Sequence, residues 1–285
     1  MQDDIRIFDR ARLRANRNRA ARRTGHDFLH EWAARNLCAR LGDIKHDFPT
    51  ALAIGGHGAE ILRRSGKIGT LIAMDLAERR LDGISGPRVH GDEEFMPFAP
   101  GSLDLVISVL DLHTVNDLPG ALVQIRQALK PDGLFLAAML GGETLHELRH
   151  VMAEAEMNLR GGISPRVAPF ADKPQAGELL QRGGFSLPVV DSEIVTVTYE
   201  NVFRLLHDLR YMGEGNTIIR RDRRYAGKAL FMEAARLYQE RFADPDGRIR
   251  ATFEIIFMIG WHPHESQQKP AKRGSATHSL ADFLQ

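Results

Sequence analysis

Between residues 50 and 139 short apolar runs alternate with glycine or acid punctuation and with segments of helical spacing, and this order most constrains the fold. TALAI (50–54) reads as a buried strand, followed by the glycine cluster GGHG (55–58) and a helical stretch to Arg64. TLIAMD (70–75) reads as a second strand ending in an acid, with a short helix, LAERRL, behind it. PRVHGD (87–92) reads as a third, also closing on an acid, and SLDLVISVL (102–110) as a fourth. DLPGALVQIRQAL (117–129) has helical spacing and stops at the turn signal KPDG, before a fifth strand, LFLAAM (134–139). Continuous apolar strands separated by helices are the pattern of a parallel sheet covered on both faces. The expected class is α/β, a doubly wound sheet, whose ligands bind beyond the carboxyl ends of the strands at the topological switch point.

The flanks complete this plan. Residues 27–41 have helical spacing through Phe28, Leu29, Trp32, Ala33, Leu37 and Leu41. After 140, helices are expected over 143–159, 174–185, 200–212 and 222–242, a loop over 161–170, and strands over 187–199 and 250–261. The prediction is a seven-stranded sheet closed by two antiparallel edge strands, with N-terminal helices and a helical insertion before the last strand. The chain divides into a basic helical segment (1–44), a core (45–199), the insertion (200–248), the last core strand (249–261) and a tail (262–285).

Composition excludes several classes. A formal net charge of +1 is not that of a nucleic-acid polycation, and no nucleic-acid partner is expected. The charge is uneven, because residues 1–24 hold eight arginines against three aspartates. Such a segment contacts an acidic partner, a membrane surface or RNA, or is a solvated helix face. Cys38 is the single cysteine, which rules out a disulfide framework or a multi-cysteine zinc site, and its apolar surroundings predict an inert thiol. No apolar run reaches the roughly 18 residues of a membrane span. The N-terminus lacks an apolar core, and Asp3, Asp4 and Asp9 speak against a transit peptide, so it is expected to belong to the mature chain.

Chemistry concentrates at the strand ends. Glycines at 55, 56 and 58 let backbone N–H groups approach a ligand. Asp75 is placed to accept from both hydroxyls of a ribose. Asp92, followed by Glu93, is placed to accept from an adenine amino group, although a single acid at a strand end also caps the next helix. Their order along the chain favours a nucleoside site.

The glycine loop, the two acids, GDEEFMPF and SLDLVISVLDLHTVNDLPGALVQIRQALKPDGLF together resemble the class I S-adenosylmethionine (SAM)-dependent methyltransferases. IFDRARLRANRNRAA, GGETLHELR, GGISPRVAPF and MIGWHPHESQQKPAKRGSA resemble one group on that fold, the assembly factors of respiratory complex I. The resemblance implies SAM as cofactor, held by Ala53, Gly55, Gly56, Gly58, Asp75, Leu76, Asp92, Glu93 and Val109. It implies a protein substrate, a complex I subunit with an arginine to be hydroxylated or methylated. It implies the bacterial cytoplasm, or the mitochondrial matrix side in a eukaryote, with peripheral membrane contact open. A non-catalytic assembly chaperone with a degenerate SAM site and a small-molecule or carrier-protein methyltransferase are the alternatives. A dinucleotide-binding Rossmann protein fits less well, given the expected antiparallel final strands and the LKPDG element.

Two departures from the family pattern matter. Ala53 stands where the family has an acid, and His57-Gly58-Ala59 alters the loop, with His57 expected to fill space. Loss of a charge-assisted bond costs on the order of 1.5–3 kcal/mol, roughly tenfold to a hundredfold in affinity, so weak SAM binding is expected. Asp111 and His113, after the fourth strand, are the candidate reacting groups. His113 acts as a base near neutral pH, or packs under the following turn. Methyl transfer depends mainly on proximity and alignment, so few catalytic side chains are needed. His262, His264 and Glu265 could hold iron but fit a solvated or substrate-contacting tail better, and no metal site is assigned. Arg273 with Gly274 and Ser275 binds an anion or orders the tail.

Overall fold

A computed structural model describes residues 6–23 and 25–268; the candidate anion group at 273–275 lies outside the described residues. Its strands are β1 (Phe48–Ile54), β2 (Ile68–Asp75), β3 (Arg88–His90), β4 (Leu103–Val109), β5 (Leu129–Leu140), β6 (Ser186–Tyr199) and β7 (Ile249–Trp261). They form one seven-stranded sheet in the order β3-β2-β1-β4-β5-β7-β6. The helices are α1 (Arg10–Ala20), α2 (Phe28–Gly42), α3 (Ala59–Arg63), α4 (Leu118–Ala128), α5 (His146–Arg160), α6 (Lys173–Arg182), α7 (Val202–Met212) and α8 (Lys228–Phe242). The order reverses between β1 and β4, so the loops after those two strands flank the switch point.

Both faces of the sheet are covered, which explains the continuous apolar strands. Successive residues of β1 point to opposite sides. Ala51 and Ala53 join Leu37 and Leu41 of α2 and Leu148 of α5 in one core, while Leu52 and Ile54 join Leu122 of α4 and Leu180 of α6 in the other. Helix starts are fixed by side-chain caps: Asp117 accepts from the Gly120 amide, and Asp172 with Gln175 closes a capping box on α6.

Three expectations need correction. β7 is antiparallel to both β5 and β6, so only β7 is reversed; β6, the edge strand, runs with the rest. The KPDG turn lies inside β5, where a register shift against β4 and Asp132 at φ 63 absorb it. β3 ends at His90, so Asp92 lies in the loop beyond it.

Candidate cofactor and substrate site

The chain leaves β1 through Gly55, whose φ of +89 is open to glycine at little cost. Gly56 N–H donates to Asp75 Oδ2 at 3.0 Å and Ala77 N–H to Asp75 Oδ1 at 2.7 Å. Asp75 therefore ties the glycine loop to the turn after β2, a clamp that the ribose reading did not anticipate. A Cβ on Gly56 would lie 2.4 Å from the Arg80 carbonyl oxygen, and one on Gly58 2.6 Å from Val109 Cγ2. Ala53 is fully buried within β1, paired with Ala73 and Ile107, and supplies no charge. Leu76 and Val109 are buried at the ends of their strands.

The other acids meet two arginines of α1. Arg10 Nη2 donates to Asp92 Oδ1 at 2.5 Å and lies 2.8 Å from Glu93 Oε1. Glu93 is fully buried; Arg10 is the cation beside its Oε1, and its Oε2 has no hydrogen-bond partner. Burial, with the charge of Asp111 adding to it, pushes the Glu93 carboxyl up to about 8 against the pull of Arg10 and Arg17. Arg17 is 2% exposed, forms an ion pair with Asp111 and lies 3.9 Å from Asp75. Its Nη2 donates to Thr114 Oγ1 at 3.4 Å. Burial raises Asp75 to about 6, although Arg17 opposes the shift. Asp111 Oδ2 is buried without a partner.

The basic N-terminus is thus built into the site. Asp9 N–H donates to the Thr217 carbonyl at 2.8 Å, Phe8 N–H to Asn116 Oδ1 at 2.7 Å, and Asn16 to the Gly215 carbonyl at 3.0 Å. Arg12, Arg14, Arg19, Arg22 and Arg23 remain exposed on its outer side. The inward pair was missed because the run was read as bulk charge. Arg10 and Arg17 stand about two helical turns apart on one face, but exposed Arg12 and Arg19 share that spacing, so the spacing alone did not single the pair out.

His113 does not join Asp111. Its Nε2 lies 3.2 Å from Glu214 Oε2, its ring packs edge-on against Phe170, and its Nδ1 is buried without a partner. Burial alone would raise Glu214, but His113, Arg17 and Arg80 hold its carboxyl below the ordinary value. This pair lines an apolar cavity of about 240 Å³ beyond β4 and β5, walled by Leu110, Leu140, Phe170, Leu209 and Phe253. Arg166 pairs with buried Glu156 at 2.5 Å and anchors the 161–170 loop across the cavity, which gives GGISPRVAPF a structural role. Leu110, at φ 50, holds the left-handed turn that leads into the 112–114 segment. Asp111 faces the arginines of α1 and His113 faces the cavity.

Residues 52–137, from β1 into β5, match the family model "Methyltransferase domain". Arginine-hydroxylase NDUFAF5, mitochondrial, of Homo sapiens is 42% identical over 290 residues, covering 98% of this chain and 84% of that protein. This chain belongs to the NDUFAF5 family. Malonyl-[acyl-carrier protein] O-methyltransferase of Gallionella capsiferriformans (strain ES-2) is 30% identical over 279 residues, covering 90% of this chain and 92% of that one. The crystal structure of a candidate methyltransferase from Bacillus halodurans C-125 superposes with a TM-score of 0.56 at 17% identity, covering 81% of this chain and 99% of that one, a likeness of fold alone.

For a member of the NDUFAF5 family the question is whether these residues suit a nucleoside cofactor. Glu93 Oε2 and Asp111 Oδ2 are buried acceptors without donors, the chemistry that ribose hydroxyls or an adenine amino group complement. The residues fit on that ground, and the guanidiniums of Arg10 and Arg17 compete for the same acids. The tail histidines make local contacts: His262 Nδ1 lies 3.0 Å from the Pro263 carbonyl and His264 Nδ1 2.7 Å from Ser266 Oγ. Cys38 is half-buried, its Sγ donates to the Ile61 carbonyl at 3.6 Å, and burial pushes its thiol up, as an inert cysteine requires.

Proposed function

We propose that this chain is an enzyme that binds SAM and modifies an arginine side chain of a respiratory complex I subunit, by hydroxylation or methylation. The observation that carries the reading is Arg17, a guanidinium buried against Asp111 beside the strand-end acids. A cleft that buries its own guanidinium has the charge and shape to take one from a substrate. The likeness to NDUFAF5 over nearly the whole chain supports the same substrate class.

In this reading Gly55, Gly56, Gly58, Asp75, Leu76, Asp92, Glu93 and Val109 hold the cofactor, and Ala53 leaves its amino-acid end without the usual acid. SAM, when bound, would supply an electrophilic sulfonium centre as the methyl donor for methylation; hydroxylation would instead take its oxygen atom from dioxygen, with a two-electron reductant reducing the second oxygen to water. Asp111 orients the substrate guanidinium by charge-assisted hydrogen bonds once Arg17 yields its place. His113, held by Glu214, stores or accepts a proton at the cavity side. The exposed arginines of α1 offer the substrate subunit, or an anionic membrane surface beside it, a basic face. The work would be done in the bacterial cytoplasm, or on the matrix side in a mitochondrion.

Intact-mass and peptide mass spectrometry of the candidate subunit, incubated with this protein and SAM in air with and without a reductant, tests the proposal. A gain of one oxygen or one methylene on an arginine supports it and selects the reaction. An unchanged subunit that nevertheless binds the protein supports the second reading, a non-catalytic assembly chaperone. Ala53 and the capture of the acids by Arg10 and Arg17 favour that alternative.

A further inference from the structure

We propose that Asp27, His30 and His57 form a binding site for a divalent first-row transition-metal ion. Asp27 immediately precedes α2, His30 lies in its first turn, and His57 comes from the glycine loop. One donor atom from each of the three lies within 4.8 Å of the other two. His57 Nδ1 stands 3.2 Å from Asp27 Oδ1, and the two imidazole rings are 4.4 Å apart, centre to centre.

The state of the donors points to a ligand. His30 is 3% exposed, and its Nδ1 has no hydrogen-bond partner. His57 Nε2 is also buried without a partner. Buried polar atoms are almost always paired, so two unpaired ring nitrogens in adjoining imidazoles require an explanation. Asp27 occupies the N-cap position of α2 but makes no side-chain cap bond, so helix capping does not account for its carboxylate.

The donor set selects the class of ion. Two imidazoles and one carboxylate suit iron(II), cobalt(II) or zinc(II), and three protein ligands leave coordination positions open. Metal–ligand bonds of about 2.1 Å place donor atoms roughly 3–3.5 Å apart, so the side chains must close by about 1 Å. His30 also lines the cavity that holds His113, so the ion would border the proposed substrate space. The nearby charge of Arg80 opposes a dication and points to moderate affinity. The site's existence does not depend on SAM binding or on arginine modification.

The test is calorimetric and absorption titration of the tag-free, chelator-stripped full-length protein with cobalt(II), and anaerobically with iron(II). Saturation at one ion per chain, with cobalt d–d bands of a nitrogen and oxygen site, is the expected result. Asp27→Asn and His57→Gln should each weaken binding about tenfold or more while keeping the wild-type circular dichroism spectrum. These two avoid the risk that a change at buried His30 prevents folding. Absence of saturable binding, or binding that neither variant weakens, overturns the proposal.

Discussion

Arg17 carries its guanidinium into the interior from α1 and pairs it with Asp111, 3.9 Å from Asp75, at 2% exposure. Desolvation makes such a pair a weak source of stability, but removing one partner strands the other. The arrangement makes sense if the carboxylates exist for another cation or donor and Arg17 occupies them in the meantime.

Arg17→Met should therefore destabilise the fold by about 3–5 kcal/mol, since Asp111 and Asp75 would remain buried without their cation. Urea unfolding of the wild type, Arg17→Met and the Arg17→Met/Asp111→Asn double variant measures this. The second change should restore a large part of the loss. A single-variant loss below about 1 kcal/mol, the level of an exposed ion pair, would contradict the buried geometry.

Stability should also fall as the solution becomes alkaline. Glu93, ordinarily near 4.5, is pushed up to about 8 by burial and by Asp111. The folded chain then keeps a proton that the unfolded chain has lost. The stabilisation from this group is complete below 4.5 and is lost as pH rises through about 8. Asp75, raised from 3.8 to about 6, behaves alike in its lower window. His30, held neutral in the fold, acts in the opposite sense below its ordinary 6.5. Between about pH 7 and 8 the Glu93 effect should approach 1 kcal/mol per pH unit. Urea midpoints across that interval should drop for the wild type and stay nearly level for Glu93→Gln. Equal slopes in the two proteins would show that Glu93 ionises normally.

The parts of the fold that were legible in the sequence owe it to burial. β1, β2 and β4 are covered on both faces, so their apolar runs were unambiguous, and the glycines at 55, 56 and 58 marked the turn at the switch point. The direction of β6 was not legible, because half-exposed residues such as Ser192 and Glu193 fit an edge strand of either orientation. At the site, Asp75, Glu93 and Asp111 were named as candidates because acids at or just beyond the ends of apolar strands stand out in the sequence. Arg10 and Arg17 were not, since which arginines of a helix turn inward depends on the partner it packs against. His57 was assigned to filling space, because Asp27 and His30 approach it only in three dimensions.

Leu206, partly buried on α7, lines the apolar cavity away from the strand-end acids. Leu206→Trp should crowd the cavity and leave the acids untouched. In the mass-spectrometric assay this variant should lose substrate modification, while its SAM affinity stays within about twofold of wild type. Parallel loss of both would place the cofactor in the cavity.

Titration calorimetry of SAM into the wild type and Arg10→Ala tests the central claim most directly, that the strand-end acids form a nucleoside cleft for which α1 competes. The wild type should bind weakly, with Kd well above the micromolar range, and the variant about tenfold or more tightly, since a charge-assisted contact no longer has to be broken. Ordinary micromolar binding by the wild type, unchanged in Arg10→Ala, would contradict it.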